Sequence, residues 1–213
     1  MRKRKKEITL MFLSGLCCLT LLAGCGSKEN NPAEGEENEE VQSAGTDSFQ
    51  EISDSGEQKG TENIGEFSTE DVQGNSYTQE MFGDYDLTMV NVFATWCGPC
   101  ISEIPDLEKL YGEMKEQGVN VAGIVLDAAD GSGNPDAEAV EKAKLLAEKT
   151  GASYPFLVPD AGYFGGRLAG INAVPETFFV DKEGNIIGET YSGSRSFEEW
   201  KEIVAKELEY ISQ

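Results

Sequence analysis

Trp96-Cys97-Gly98-Pro99-Cys100 lies between an apolar run, Leu87 to Ala94, and a run of helical character, Ile101 to Lys115. A cysteine pair placed where a strand gives way to a helix points to redox chemistry. The first amides of a helix have no intrahelical partner, and their partial positive charge favours a thiolate over a thiol. The thiolate is the species that attacks disulfides.

The cysteine inventory narrows the reading. There are five: Cys17, Cys18, Cys25, Cys97 and Cys100. Cys17 and Cys18 fall in an apolar N-terminal segment, which leaves one C-x-x-C pair in the body of the chain. A structural zinc site commonly needs two such pairs or cysteines with histidines. The sequence holds no histidine and no second pair. Covalent haem attachment needs C-x-x-C-H, and position 101 is Ile. A purely structural bridge over two intervening residues closes a very small loop and constrains little of the unfolded chain. The missing histidine also excludes Ser-His and Cys-His hydrolases, so proton transfer falls to carboxylates, thiols, amines or water.

The chain opens Met1-Arg2-Lys3-Arg4-Lys5-Lys6 and is apolar from Ile8 to Ala23. A basic start followed by a short apolar stretch reads as a secretory signal, of marginal length for a transmembrane helix. Its end, Leu22-Ala23-Gly24-Cys25, resembles a bacterial lipobox. That resemblance implies residues 1–24 as a lipoprotein signal peptide and Cys25 as the lipidated N-terminus of the mature chain. Two or more acyl chains anchor a protein stably, where one does not.

Residues 25–63 form the second region, a lipidated cysteine followed by an acidic tether. Gly26 to Asn63 holds eleven acidic residues against Lys28 and Lys59, with few large apolar side chains. Such a stretch buries too little surface to offset its chain entropy, and disorder is the expectation. A flexible coil of that length spans roughly 35 Å, and self-repulsion extends it. Residues 1–24 carry five basic and one acidic residue, so the chain beyond them has a net charge of −26, against −22 for the whole. Nucleic-acid binding is disfavoured, because phosphate contacts need Lys and Arg. The acid-rich spacer resembles those of Gram-positive lipoproteins. The expected location is the outer face of the cytoplasmic membrane.

Residues 64–213 are long enough for one domain with its own core. Gln73-Gly74-Asn75 marks a hairpin between two short strands within Phe67–Thr78. Leu87–Ala94 and Val119–Leu126 read as buried strands. Gly98–Gln117 reads as a helix with Pro99 in its first turn and Pro105 inside it, where a kink is expected. Asp136–Lys149 is a second helix ended by Gly151. Tyr154–Val158 is a short strand, and Tyr163–Leu168 is either a short helix or irregular. Glu176–Asp181 and Ile186–Thr190 pair around Lys182-Glu183-Gly184-Asn185. Phe197–Tyr210 is an amphipathic helix with Trp200, Ile203, Val204 and Leu208 inward. The order predicts an α/β sheet flanked by helices.

Ala94-Thr95-Trp96-Cys97-Gly98-Pro99-Cys100, then Glu103-Ile104-Pro105, then Val174-Pro175-Glu176-Thr177-Phe178 resemble the TlpA/ResA/DsbE group of membrane-anchored thioredoxin-like oxidoreductases. The resemblance covers residues 64–213. It implies a thioredoxin fold, a central mixed sheet flanked by helices, with an N-terminal β-hairpin extension and a strand–helix insertion between Asp127 and Val158. It implies Cys97 as the attacking thiol and the more exposed of the pair, and Cys100 as the resolving thiol. Gly98-Pro99 matches the dipeptide of thioredoxin, whose potential is about −270 mV, so a reductant between roughly −300 and −220 mV is expected. Trp96 is expected either to cover part of the active surface or to fill the core.

Asn91 stands where thioredoxin has a proton-transferring Asp. Glu103, about one helical turn past Cys100, is the expected replacement, its pKa raised by partial burial. The resemblance implies a cis bond before Pro175, with Val174 offering backbone groups to a substrate strand. Glu176 either shapes partner choice or is a solvated strand end.

The function implied is reduction of disulfides in extracytoplasmic proteins, with no cofactor beyond the Cys97–Cys100 pair. Electrons are expected from a membrane thiol donor such as a CcdA-like protein. Client classes are apocytochrome c and an extracellular methionine sulfoxide reductase. Two other classes stay open: a thiol peroxidase, although the P-x-x-x-[ST]-x-x-C frame is absent before Cys97, and a noncatalytic scaffold lipoprotein.

Overall fold

The computed structural model describes residues 62–212. The expected signal peptide, the expected lipidation at Cys25 and the expected tether up to residue 61 lie outside the described residues.

Five strands form the central sheet, in the order β5-β4-β3-β6-β7. β3 is Leu87–Phe93, β4 Val119–Val125, β5 Phe156–Leu157, β6 Glu176–Asp181 and β7 Ile186–Ser192. β3, β4 and β5 run parallel, and β6 and β7 are antiparallel additions. Every residue of β3 and β4 is buried, as expected of strands covered on both faces. Alternation sorts β3 between two cores. Leu87, Met89 and Phe93 join Ile104, Leu107 and Leu110 of α1 (Gly98–Met114), Ala143 and Ala147 of α2 (Ala137–Thr150), and Trp200 and Val204 of α3 (Phe197–Ile211). Val90 and Val92 face Ile64, Phe67, Phe82, Phe164 and Phe178 instead. The thioredoxin-like α/β class therefore holds. The extension hairpin is β1 (Ser68–Glu70) with β2 (Ser76–Thr78), and α2 with β5 occupies the Asp127–Val158 interval.

Local chemistry sets the boundaries. α2 starts because Asp136 accepts from the amides of Glu138 and Ala139, and Gly151 ends it in the left-handed conformation. Ser196 and Glu199 close a reciprocal capping box at α3. α1 runs through Pro105 as one element. Three turns share the pattern D-x-x-G-N: Asp71 to Asn75, Asp130 to Asn134 and Asp181 to Asn185. In each, one carboxylate oxygen accepts two turn amides while the carboxylate also takes the Asn side chain.

One expectation changes. β5 is two residues long, not five, because Pro155 and Pro159 lack the amides a longer ladder needs. Its outer edge is taken by the hairpin, where Val72 N donates to Phe156 O at 2.8 Å and Val158 N to Glu70 O at 2.9 Å. For Tyr163–Leu168 the irregular alternative holds: the segment forms successive turns. Tyr163, Phe164, Gly165 and Gly166 all have positive φ, and consecutive left-handed residues cannot join a right-handed helix. Gly165 is required there, since a Cβ would collide with the carbonyl of Ile64.

Candidate active site

β3 ends at Phe93, and Ala94-Thr95-Trp96 turn the chain into α1. The turn is closed by Cys97 N donating to Ala94 O at 3.1 Å. It is pinned to the end of β4 by Asp127, whose carboxylate accepts from Thr95 N at 2.9 Å and from Thr95 Oγ1 at 2.6 Å. Cys97 is the N-cap residue of α1, with Gly98 and Pro99 exposed in the first turn. Cys97 and Cys100 are joined as a disulfide. The amide of Cys100 donates to Cys97 Sγ at 3.3 Å. That N–H and the helix dipole both favour negative charge on Cys97 after reduction.

Cys97 is the more exposed thiol by a narrow margin, 5% against 1% for Cys100. Both are buried, so the accessible part of the motif is Trp96, 69% exposed, with Gly98 and Pro99. Trp96 is a surface residue, and the core-filling alternative fails. Opposite the pair, the Val174–Pro175 bond is cis, and Val174 O lies 3.6 Å from Cys97 Sγ. Sγ carries no proton in the disulfide, so this is a contact; reduction turns it into a place where a Cys97 thiol can donate. Pro175 O accepts from Gly193 N at 2.9 Å. Glu176 is not a solvated strand end: it is half-buried and pairs with Arg167 at 2.9 Å. The Arg167 guanidinium also lies over the Phe178 ring at 4.2 Å.

Glu103 is buried on the inner face of α1, 2% exposed. Its Oε1 accepts from Arg195 N at 2.8 Å and from Trp200 Nε1 at 2.7 Å. Its Oε2 faces Asn91 Nδ2 at 3.4 Å, and the same Nδ2 donates to Thr177 Oγ1 at 2.9 Å. Burial pushes the Glu103 carboxyl above its ordinary value, against the hydrogen bonds from Arg195, Trp200 and Asn91 and the Arg195 charge. Among the described residues, no group of three or more Cys, Asp or Glu is placed to hold a metal ion.

The AhpC/TSA family model matches residues 61–188. The chain is 30% identical over 144 residues to the thiol-disulfide oxidoreductase ResA of Halalkalibacterium halodurans, covering 66% of this chain and 74% of that protein. It is 32% identical over 146 residues to the thiol:disulfide interchange protein DsbE of Haemophilus influenzae, covering 68% and 72%. The chain belongs to the AhpC/TSA family, as a ResA/DsbE-like thiol–disulfide oxidoreductase. A thioredoxin-family thiol:disulfide interchange protein from Chlorobium tepidum superposes on this oxidoreductase with a TM-score of 0.55 at 28% identity, over 70% of this chain and 97% of that one. StoA from Bacillus subtilis shares the fold, with a TM-score of 0.51 at 18% identity over 66% and 97%.

Several residues around the ResA/DsbE-like site escape sequence reading. Trp200 counts as core from its position on α3, but a buried indole N–H needs an acceptor, and that requirement was the available signal. Arg195 acts here through its backbone amide, which carries no signature. Thr177 is legible only as the residue two past Pro175. Asp127 directly follows the apolar run of β4, a common place for site residues in α/β sheets, yet its partner Thr95 is 32 positions away.

Proposed function

We propose that this oxidoreductase works as a reductase of protein disulfides outside the cytoplasm, held at the membrane through lipid on Cys25. The observation that supports the reading best is the surface around Cys97: exposed Trp96 on one side and the Val174 carbonyl 3.6 Å from Sγ on the other. That surface suits an extended client chain pairing with the Val174 backbone.

Cys97 thiolate attacks one client sulfur, and the other client sulfur leaves as a thiolate that takes a proton from water. Cys100 then gives its proton to the Glu103 carboxylate and attacks Cys97. The Cys97–client bond breaks, the client leaves as a second thiolate, and the Cys97–Cys100 disulfide forms. Two electrons have passed to the client. No cofactor enters this cycle. A CcdA-like membrane dithiol is the proposed donor that restores the pair, and apocytochrome c or an extracellular methionine sulfoxide reductase is the proposed client.

The test is capture of clients with Cys100→Ser in intact cells. Disulfide-linked extracytoplasmic proteins, absent with Cys97→Ser, support the reading; capture of no such protein contradicts it.

A second reading is a thiol peroxidase, since peroxiredoxins share an elaborated thioredoxin fold. Against it, Val90 and Ala94 stand where the peroxidatic frame has Pro and Ser or Thr. Peroxide consumption by the reduced protein separates the two.

A further inference from the structure

Glu103 Oε1 receives two strong N–H donors, while Oε2 receives one long contact. We infer that the loop entering α3 and the first turn of α3 together form a positioning clamp: Arg195 N–H from the loop and Trp200 Nε1–H from the helix occupy Oε1 and confine the proton taken from Cys100 to Oε2. The inference rests on the reading of Glu103 as that proton acceptor.

A carboxyl oxygen offers two lone pairs, and both on Oε1 are filled at 2.8 and 2.7 Å. A proton on Oε1 would displace one donor. Trp200 is fully buried, so its N–H has no water to turn to, and an orphaned buried donor is costly. Oε2 carries no such obligation. Asn91 reaches it at 3.4 Å, and that amide already donates to Thr177 Oγ1 at 2.9 Å.

The clamp is itself braced. Arg195 Nη1 donates to Ser192 O at 3.2 Å and Gly193 O at 2.8 Å, and its guanidinium lies 5.2 Å from the Tyr191 ring and 5.0 Å from the Trp200 ring. Gly193 N holds Pro175 O at 2.9 Å. One short loop therefore grips both the proline segment beside Cys97 and the Glu103 carboxylate.

In the step concerned, the Cys100 S–H bond breaks and an O–H bond forms at Oε2. The sulfur keeps its electron pair for attack on Cys97, and the Cys97–client bond pair leaves with the client sulfur. The charged and titratable groups that interact with Glu103 are the Arg195 guanidinium and Tyr154 before β5, while Tyr191 on β7 packs against the Trp200 ring. Burial pushes Tyr154 and Tyr191 well above the ordinary tyrosine range, so neither titrates with the carboxyl. Glu207 accepts from the Tyr191 hydroxyl at 2.8 Å.

The experiment is the pH–rate profile of oxidised-glutathione reduction by the reduced protein, for wild type, Glu103→Gln and Trp200→Phe. Phe keeps the ring and removes one N–H from Oε1. The expected result is a carboxyl limb that vanishes in Glu103→Gln and moves up by about one pH unit in Trp200→Phe, the worth of one hydrogen bond to a charged acceptor. A limb absent in Glu103→Gln but unmoved in Trp200→Phe overturns the clamp and leaves Glu103 as acceptor. A limb that persists in Glu103→Gln overturns both. Should Trp200→Phe not fold, Arg195→Pro deletes the other donor and must give the same upward shift; an unmoved limb there overturns the clamp equally.

Discussion

The amide of Cys100 points at the sulfur of Cys97 across 3.3 Å, so the helix that carries both thiols distinguishes them. One sulfur sits at the cap, where N–H groups favour its charge. The other lies inside the first turn, 1% exposed. After reduction, iodoacetamide at neutral pH is therefore expected to label Cys97 before Cys100. Peptide mass mapping of partly alkylated protein checks the order; equal labelling would remove the basis for assigning the attack to Cys97.

Trp96 is exposed beside the attacking sulfur, and its ring contributes little to the fold. Trp96→Ala is expected to leave stability within about 0.5 kcal/mol, the usual range for surface changes. The same variant should form fewer mixed disulfides in a Cys100→Ser background. Urea titration and client capture read the two effects separately.

Asp127 accepts both the amide and the hydroxyl of Thr95, which is itself buried. Asp127→Ala leaves those two donors without a partner. A loss of about 1–3 kcal/mol is expected, since a buried unmet donor costs that much. Denaturant midpoints measure it, and exchange with client disulfides should slow as the turn before Cys97 loosens.

Glu103 makes stability depend on pH in a definite direction. Burial raises its folded pKa above the unfolded value, so its favourable contribution is full below the unfolded value and is lost as pH rises through the folded one. Glu103→Gln imitates the neutral acid at every pH. Stability of the variant relative to wild type should increase as pH climbs from about 4 and level off above the folded pKa. Urea unfolding at a series of pH values tests this, and a difference independent of pH would contradict it.

Gly188 lies in β7 at φ 62°, with the Glu207 carboxylate packed where a side chain would begin. Gly188→Ala is expected to cost at least about 1–2 kcal/mol, the penalty for an L-residue in the left-handed region. Displacement of the Glu207 carboxylate from the Tyr191 hydroxyl, now 2.8 Å away, adds to it. Thermal unfolding measures the sum.

What the sequence made legible was local. The all-apolar runs of β3 and β4, the Asp136 and Gly151 caps and the two hairpin turns depend on neighbours a few residues apart. The motif also singled out Cys97, Cys100, Glu103 and Pro175. What stayed hidden depends on distant partners. The Glu103–Trp200 bond joins residues 97 positions apart, and no periodicity encodes it. Glu207 shares the buried face of α3 with Trp200 and Val204, but a glutamate there reads as solvated until Tyr191 and Gly188 supply its surroundings. For Tyr163–Leu168 the sequence left helix and irregular chain both open, because positive φ at two aromatics, Tyr163 and Phe164, has no local signature. The D-x-x-G-N repeat was present in the sequence as a turn signal at Asp71, Asp130 and Asp181.

Under the proposed function, Cys97 and Cys100 form a reversible, reducing dithiol–disulfide couple. Equilibration of the protein with dithiothreitol and glutathione buffers, followed by acid quench, alkylation and mass measurement, tests it directly. A single two-electron transition between roughly −300 and −220 mV, with both sulfurs alkylated on the reduced side, is the expected result. A transition near the −120 mV of a strong oxidant, or sulfurs that stay unreactive in excess dithiothreitol, would contradict it.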